Sequence, residues 1–263
     1  MNTNEPFCMI TVGTQGSGKS HTVACVVESC LIPFPGLDII RLMRPMNAVM
    51  FHYDDNINYV CEAIGLLTAD PSIKHCYQSN KPGQLKRSDV TVLVSPMNYL
   101  SRMKFYNGKC AVKPLLFEWQ SLSADHIKKI MGIDANGTQL YVATLLNILK
   151  SYQRHGAALP AFDVFADQVT EKCDIKGQDG PLRQRLNLLA SMVKESEVNK
   201  ECRHLSGDLR SCCMDAGSLV IVDLTDPLMS KQDANCIFQL LVEQYRAVPT
   251  TGTAAGQVFC SDC

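Results

Sequence analysis

Short apolar runs alternate with longer amphipathic segments along this chain. The apolar runs have the length and the β-branched content of buried strands, and they cover residues 7–12, 48–53, 90–94, 115–117, 219–224 and 257–260. Turn residues bound several of them, such as Gly13 after the first run and Pro96 after the third. Strands that alternate with helices predict a parallel sheet with crossover helices.

The longer segments have apolar residues at the three- and four-residue spacing of an α-helix. They cover residues 19–30, 59–67, 123–131, 140–154, 162–169, 181–193 and 234–248. The stretch between about residues 120 and 200 contains only helical patterns. We therefore expect one α/β domain over residues 1–263, with a mostly parallel sheet flanked by helices and a mainly helical insertion at about residues 120–200.

Composition excludes several classes of protein. Hydrophobic residues make up 46% of the chain and charged residues 19%, which excludes a disordered or fibrous chain. Lys and Arg number 25 against 26 Asp and Glu, so binding to a nucleic acid would need a local basic patch. No apolar run approaches the roughly 18 residues of a membrane span, so we expect no membrane insertion. The N-terminal residues show no secretion signal, which favours an intracellular location, cytoplasmic or nuclear.

The 13 cysteines are scattered and odd in number, which is unlike a compact disulfide scaffold. We expect mostly reduced thiols, many of them used as small core residues. Cys260 and Cys263 form the one C-x-x-C pair, and a structural zinc site would need two further ligands at matching spacing.

Phosphate chemistry is indicated by residues 13–20, whose letters GTQGSGKS match the pattern G-x-x-x-x-G-K-[ST]. The glycines allow backbone N–H groups to turn towards phosphate oxygens, and the helix that follows contributes its positive end. Lys19 is expected to reach the β- and γ-phosphates of ATP, and the Ser20 hydroxyl to bind Mg²⁺. The predicted nucleotide-binding residues are Gly13, Thr14, Gln15, Gly16, Ser17, Gly18, Lys19, Ser20 and His21. An ordinary glycine-rich turn is the alternative interpretation.

A phosphate loop of this kind also requires a carboxylate at the end of a neighbouring strand, which holds Mg²⁺ through water. Asp223 and Asp262 each follow an apolar run, so both are candidate catalytic and metal-binding residues alongside Lys19. Asp54 and Asp55, after the second predicted strand, are further candidates. A capping or turn carboxylate is the alternative role for each of them. Neither Asp223 nor Asp262 is followed by Glu, the usual residue that aligns an attacking water.

Three segments resemble the HerA/FtsK-like ATPases, a group of ring-shaped DNA-pumping motors. Residues 13–23 (GTQGSGKSHTV) resemble the phosphate loop of that group, and residues 181–189 (PLRQRLNLL) are similar to its R-L-x-L-L helix. Residues 218–225 (SLVIVDLT) are similar to its segment in which a hydrophobic strand ends in D-L-[ST]. In that pattern the Mg²⁺ aspartate lies on the next strand, which implies Asp262, and the family's catalytic Glu is missing. Either the chain is truncated at its C-terminus, or Asp223 binds Mg²⁺ in a divergent site.

The resemblance implies a P-loop NTPase of the additional-strand type that hydrolyses ATP with Mg²⁺, acts on DNA and assembles into a homo-oligomeric ring. Two alternatives remain open at this point. One is a nucleotide-binding module with little or no turnover, as a truncated relative would be. The other is a small-molecule or nucleotide kinase whose helical insertion forms the lid. Arg183, Arg185 and Lys194 are candidates for contacts with DNA phosphates, and a solvated helix face is their alternative role.

Overall fold

The fold is built on one sheet of five parallel strands. The computed structural model describes residues 9–14, 16–32, 45–68, 84–106, 108–131, 133, 140–154, 159–173, 179–212, 215–246 and 257–262. The strands are β1 (Asn47–His52), β2 (Val90–Val94), β3 (Ala111–Pro114), β4 (Leu219–Asp223) and β5 (Gln257–Asp262). They lie in the order β3-β2-β4-β1-β5. Because all five run in the same direction, their carboxyl ends meet at one edge, which we call the carboxyl edge.

Helices cover both faces of this sheet, so the predicted α/β class with a parallel sheet flanked by helices is confirmed. They are α1 (Lys19–Leu31), α2 (Tyr99–Tyr106), α3 (Ala124–Ile130), α4 (Leu140–Arg154), α5 (Phe162–Lys172), α6 (Asp179–Met192), α7 (Leu209–Cys212) and α8 (Lys231–Arg246). Short 3₁₀ turns, such as Glu62–Leu67 after β1, join several of the elements. Among the described residues, no helix combines the length and the apolar character that crossing a bilayer requires.

The alternation of side chains along the strands divides the interior into two clusters. In β1, Val49 and Phe51 belong to the larger cluster, whereas Ala48 and Met50 belong to the smaller one. The larger cluster packs the sheet against α3, α4, α5, α6 and α8. The smaller cluster packs the opposite face against α1, α2 and the 3₁₀ turn Glu62–Leu67. A central strand buried on both faces explains why β1 and β4 appear in the sequence as unbroken apolar runs.

The predicted helical insertion forms most of one helical layer of the domain. Its helices share a continuous apolar cluster with β1, β2, β4 and α8, so the segment packs on the sheet rather than apart from it. Trp119 lies at the centre of this layer with 1% of its surface exposed. Its indole N–H donates to the carbonyl of Pro160 at 2.7 Å, and its ring contacts Phe162 and Phe165. Trp119 is therefore a core residue.

Four predicted strands and most predicted helices are confirmed within a few residues, but two strand predictions were wrong. The strand expected at 115–117 lies at Ala111–Pro114, and Leu115 and Phe117 form only isolated bridges beyond it. The strand expected at 7–12 is absent from residues 9–12, while residues 7 and 8 lie outside the described part. Ile10 and Val12 are 82% and 86% exposed, so these residues lack the buried neighbours that stabilise a strand.

Helix α2 was not predicted from the sequence. Its buried side chains, Tyr99, Arg102 and Tyr106, share one face at helical spacing. Arg102 is charged, and a hydrophobic pattern places a charged residue on the exposed face. The segment predicted as a helix at 59–67 forms a 3₁₀ turn over Glu62–Leu67. Within the described residues, the nine cysteines are present as thiols rather than in disulfides.

Candidate functional site

The loop that precedes α1 has a backbone that glycine alone adopts easily. Gly16 and Gly18 have φ angles of +79° and +81°, in the left-handed region that disfavours residues with a Cβ atom. At Gly13 the constraint is steric, because an added Cβ atom would lie 2.4 Å from the Ser17 hydroxyl oxygen. The three glycines of the motif therefore each have a geometric reason to be glycine, and the chain folds back on itself between Gly13 and Ser17.

The lysine of the motif bends back over the same loop. Lys19 Nζ donates to the carbonyl oxygen of Thr14 at 2.8 Å, and the Ser17 N–H donates to that oxygen at 3.2 Å. Gly18 is the N-cap of α1 and has no side chain that could cap the first N–H groups of the helix. An ammonium group and the positive end of a helix therefore adjoin one exposed loop. Gln15 lies outside the described residues.

The packing of α1 places this loop at the carboxyl edge. At the other end of the helix, the Met46 N–H donates to the carbonyl of Cys30 at 2.9 Å, so α1 ends where β1 begins. The 13 residues of α1 span about 20 Å, which is close to the length of the six-residue strand β1. Because α1 packs along β1 and β5 and ends beside the start of β1, its first turn lies towards their carboxyl ends. Ligands of open parallel sheets bind at that edge.

His21, predicted to approach the nucleotide, is held by a neighbouring acid. Its Nδ1 lies 3.0 Å from Glu62 Oε1, in the 3₁₀ turn that follows β1. Its Nε2 lies 3.6 Å from Cys25 Sγ, one helical turn further along α1. The ring therefore lies along the outer surface of α1, and its predicted contact with a nucleotide stays a prediction.

Asp223 ends β4 as predicted, but its carboxylate is engaged in structural contacts. Oδ1 accepts the N–H of Thr225 at 3.0 Å, and Oδ2 accepts Arg102 Nε at 3.0 Å and the Tyr106 hydroxyl at 2.6 Å. Arg102 also forms an ion pair with Oδ2 through its terminal nitrogen. The side chain of Asp223 is fully buried. These contacts leave little room for Mg²⁺, which argues against the metal role predicted for Asp223.

Arg102 connects three parts of the carboxyl edge. Besides its pair with Asp223, it donates to the carbonyls of Ile57 at 2.8 Å and Tyr59 at 3.3 Å. Its guanidinium lies 4.4 Å from the centre of the Phe105 ring. Burial, together with the negative charge of Asp223, raises the pKa of the Tyr106 hydroxyl, so that group remains a hydrogen-bond donor.

The other acidic candidates have different surroundings. Asp262 is the last residue of β5 and pairs in register with His52 of β1. Helix α1 contacts both of these strands. Asp54 Oδ1 accepts the N–H of Asn56 at 2.7 Å, and Asp55 Oδ1 accepts the hydroxyl of Tyr53 at 2.8 Å. Asp54 and Asp55 therefore serve the turn after β1. Asp262 is thus the acidic candidate whose own strand packs directly against α1.

A second polar cluster at the carboxyl edge was missed by the sequence analysis. The Ser95 hydroxyl donates to Asp226 Oδ2 at 2.6 Å, and Asp226 Oδ1 accepts the N–H of Leu228 at 2.9 Å. The Asn98 amide donates to the carbonyl of Thr225 at 2.9 Å. These contacts join the ends of β2 and β4. The segments SPMN and DLTD contain turn-forming residues, but nothing in either segment shows that they meet.

The basic residues considered for DNA are partly engaged by carboxylates. Arg185 lies 3.0 Å from Asp233, which joins α6 to α8, and Lys194 lies 3.5 Å from Glu118. Within the described ranges, no group of three or more His, Cys, Asp or Glu side chains is arranged to hold a metal ion.

Comparison with known proteins adds no family to this description. No protein-family model matches the chain, and neither a curated protein sequence nor a solved structure matches it.

The ion pair between Arg102 and Asp223 should contribute strongly to stability. Replacing Arg102 by Met leaves a buried carboxylate without its cation, and we expect the free energy of unfolding to fall by about 3–5 kcal/mol. Denaturant titration followed by the fluorescence of Trp119, the single tryptophan, measures this change. Lys104→Met, on the exposed face of the same helix, is the matched control and should change stability by less than about 0.5 kcal/mol. Equal small losses in the two variants would contradict the role assigned to Arg102.

Proposed function

We propose that this protein binds ATP with Mg²⁺ at the loop of residues 13–20 and hydrolyses its terminal phosphate bond. The geometry of the loop supports the proposal most directly. Three glycines meet separate conformational or steric demands, a lysine bends over the loop, and a helix begins directly behind it. An ordinary turn between two elements would need none of these features together. Their combination is what an anion of high charge requires.

The residues at the loop divide the work of binding. Backbone N–H groups of the loop and of the first turn of α1 donate to phosphate oxygens. Lys19 exchanges its contact with the Thr14 carbonyl for the β- and γ-phosphates, which neutralises charge without a large movement of the helix. At the carboxyl edge, the nucleotide would extend from the loop towards the ends of β1 and β5.

The donors proposed for the metal suit Mg²⁺, which prefers oxygen ligands. Ser20 supplies a hydroxyl from the first turn of α1, and Asp262 supplies a carboxylate from the end of β5. When bound, Mg²⁺ neutralises the phosphate oxygens and orients the leaving group. Asp262 is preferred to Asp223 because the carboxylate of Asp223 already accepts from Arg102, Tyr106 and Thr225.

Replacing Lys19 by Ala should remove the binding of ATP. The variant loses charge-assisted hydrogen bonds to phosphate, and we expect affinity to fall by roughly 100-fold or more. Isothermal titration calorimetry with ATP and Mg²⁺ measures this. Lys200→Ala serves as the control, since Lys200 is exposed and pairs with Glu197, three residues earlier in the chain.

A second pair of variants tests the loop without changing charge. Gly13→Ala adds a Cβ atom against Ser17 and should weaken ATP binding, whereas Gly180→Ala adds one where no atom lies within 4 Å and should not. Unchanged affinity in both Lys19→Ala and Gly13→Ala would overturn the proposed site.

Asp262 and Asp223 should respond differently to the same substitution. We expect Asp262→Asn to remove most of the gain in ATP affinity that Mg²⁺ provides, and Asp223→Asn to lower stability while the Mg²⁺ dependence persists. The measurement is ATP affinity with Mg²⁺ and with a chelator, below the unfolding temperature of each variant. Asp163→Asn, on an exposed position of α5, is the control. Loss of the Mg²⁺ effect in folded Asp223→Asn alone would reverse the assignment.

Action on DNA is the finer part of the proposal, and the resemblance of residues 13–23, 181–189 and 218–225 to HerA/FtsK-like motors supports it. The net charge of −1 provides no general attraction to DNA, so contacts with phosphates would be local. A motor of this kind couples hydrolysis to the polymer, whereas a kinase would transfer phosphate to a small acceptor.

Duplex DNA should therefore increase the rate of ATP hydrolysis. The increase should fall steeply as salt rises, because each phosphate contact releases bound counterions. Phosphate release measured with and without DNA over a range of salt concentrations tests this, with Lys19→Ala as the inactive control. Binding of ATP without any turnover would favour the nucleotide-binding module instead. Turnover of ATP that is independent of DNA and requires a small-molecule acceptor would favour the kinase.

A further inference from the structure

The outer surface of α1 contains a cluster of polar side chains that lies beyond residues 13–20, the loop proposed to hold ATP. His21 and Cys25 are one helical turn apart and both are exposed, and Glu62 approaches the imidazole from the turn after β1. Glu28 lies on the same side of α1, one turn beyond Cys25. A thiol, an imidazole and two carboxylates thus occupy one accessible patch.

The hydrogen bonding of His21 defines which nitrogen is available. A carboxylate of Glu62 can only accept, so the proton of the neutral ring lies on Nδ1. The lone pair then lies on Nε2, which is the ring nitrogen near Cys25 Sγ. This is the arrangement by which a carboxylate orients a metal-binding histidine in known metalloproteins.

The spacing of the two inner atoms matches a tetrahedral metal. Zinc holds a cysteine sulfur at about 2.3 Å and a histidine nitrogen at about 2.0 Å, which separates two tetrahedral ligands by about 3.5 Å. Cys25 Sγ and His21 Nε2 are 3.6 Å apart. A cation to one side of the line between the two atoms therefore fits their separation without movement of the α1 backbone.

We propose that His21 and Cys25 chelate Zn²⁺ on the surface of α1, with Glu62 orienting the imidazole and water completing the coordination. Binding releases one proton from the Cys25 thiol to solvent and forms a bond between sulfur and zinc, with no change in oxidation state. Structural zinc sites use four protein ligands. This site offers two, so zinc bound here would regulate the protein or be taken up from solution rather than hold the fold together. The inference does not rest on the proposed ATP site.

The charges around the cluster favour a cation. Burial raises the pKa of the Cys25 thiol, and the carboxylates of Glu28 and Glu62 raise it further. The same carboxylates that disfavour a free thiolate attract Zn²⁺. Bound Zn²⁺ would then stabilise the negatively charged thiolate of Cys25.

Cobalt titration tests this site, because Co²⁺ replaces Zn²⁺ and gives a near-ultraviolet charge-transfer band when a thiolate binds it. We expect the reduced protein to show such a band, competed away by Zn²⁺. Cys25→Ser and His21→Ala should each remove one bound Co²⁺ ion per chain from the titration of this band. Glu62→Gln should weaken Co²⁺ binding by roughly 10- to 100-fold. Cys110→Ser is the control for the remaining thiols and should leave the difference spectrum unchanged.

The outcome is separable from that of the nucleotide site. Cys25→Ser should keep its affinity for ATP, and circular dichroism should show an unaltered fold, because the side chain is exposed. An identical cobalt band in wild type, Cys25→Ser and His21→Ala would overturn the proposal. Unchanged affinity for Co²⁺ in Glu62→Gln would show that Glu62 does not orient the imidazole.

Discussion

A buried arginine determines how the carboxyl edge of this sheet is assembled. The carboxylate of Asp223 at the end of β4 has no access to water, and a buried charge of that kind is stable only with a partner and hydrogen bonds. Arg102 provides both, and its remaining donors bind the loop after β1. The end of β4, helix α2 and that loop are thereby fixed relative to one another.

This constraint separates the acidic residues of the edge by their surroundings. Asp223 and Asp226 have their oxygens taken up by side chains and backbone N–H groups of the neighbouring elements. Asp262 lies at the end of the strand against which α1 packs. Two aspartates that follow similar apolar runs therefore end strands with different positions in the sheet, since β4 lies at its centre and β5 at its edge.

Helix α1 has two chemically different regions within its first two turns. Its N-terminus faces the glycine-rich loop, where backbone N–H groups and Lys19 favour an anion. Its outer side presents a thiol and an imidazole beside carboxylates, which favours a cation. The two regions are compatible because the helix turns successive residues to different sides, so Ser20 and His21 face different surroundings.

The sequence by itself determined the parallel α/β class, most element positions and the loop at residues 13–20, because these depend on local periodicity and on the backbone freedom of glycine. It failed for residues 9–12, where an apolar run lacks the partners that make a strand, and for α2, whose buried face includes Arg102. Only the tertiary structure decided that Asp223 pairs with Arg102 and that Glu62 meets His21. Those contacts join residues 121 and 41 positions apart, and chain folding rather than local pattern brings such groups together.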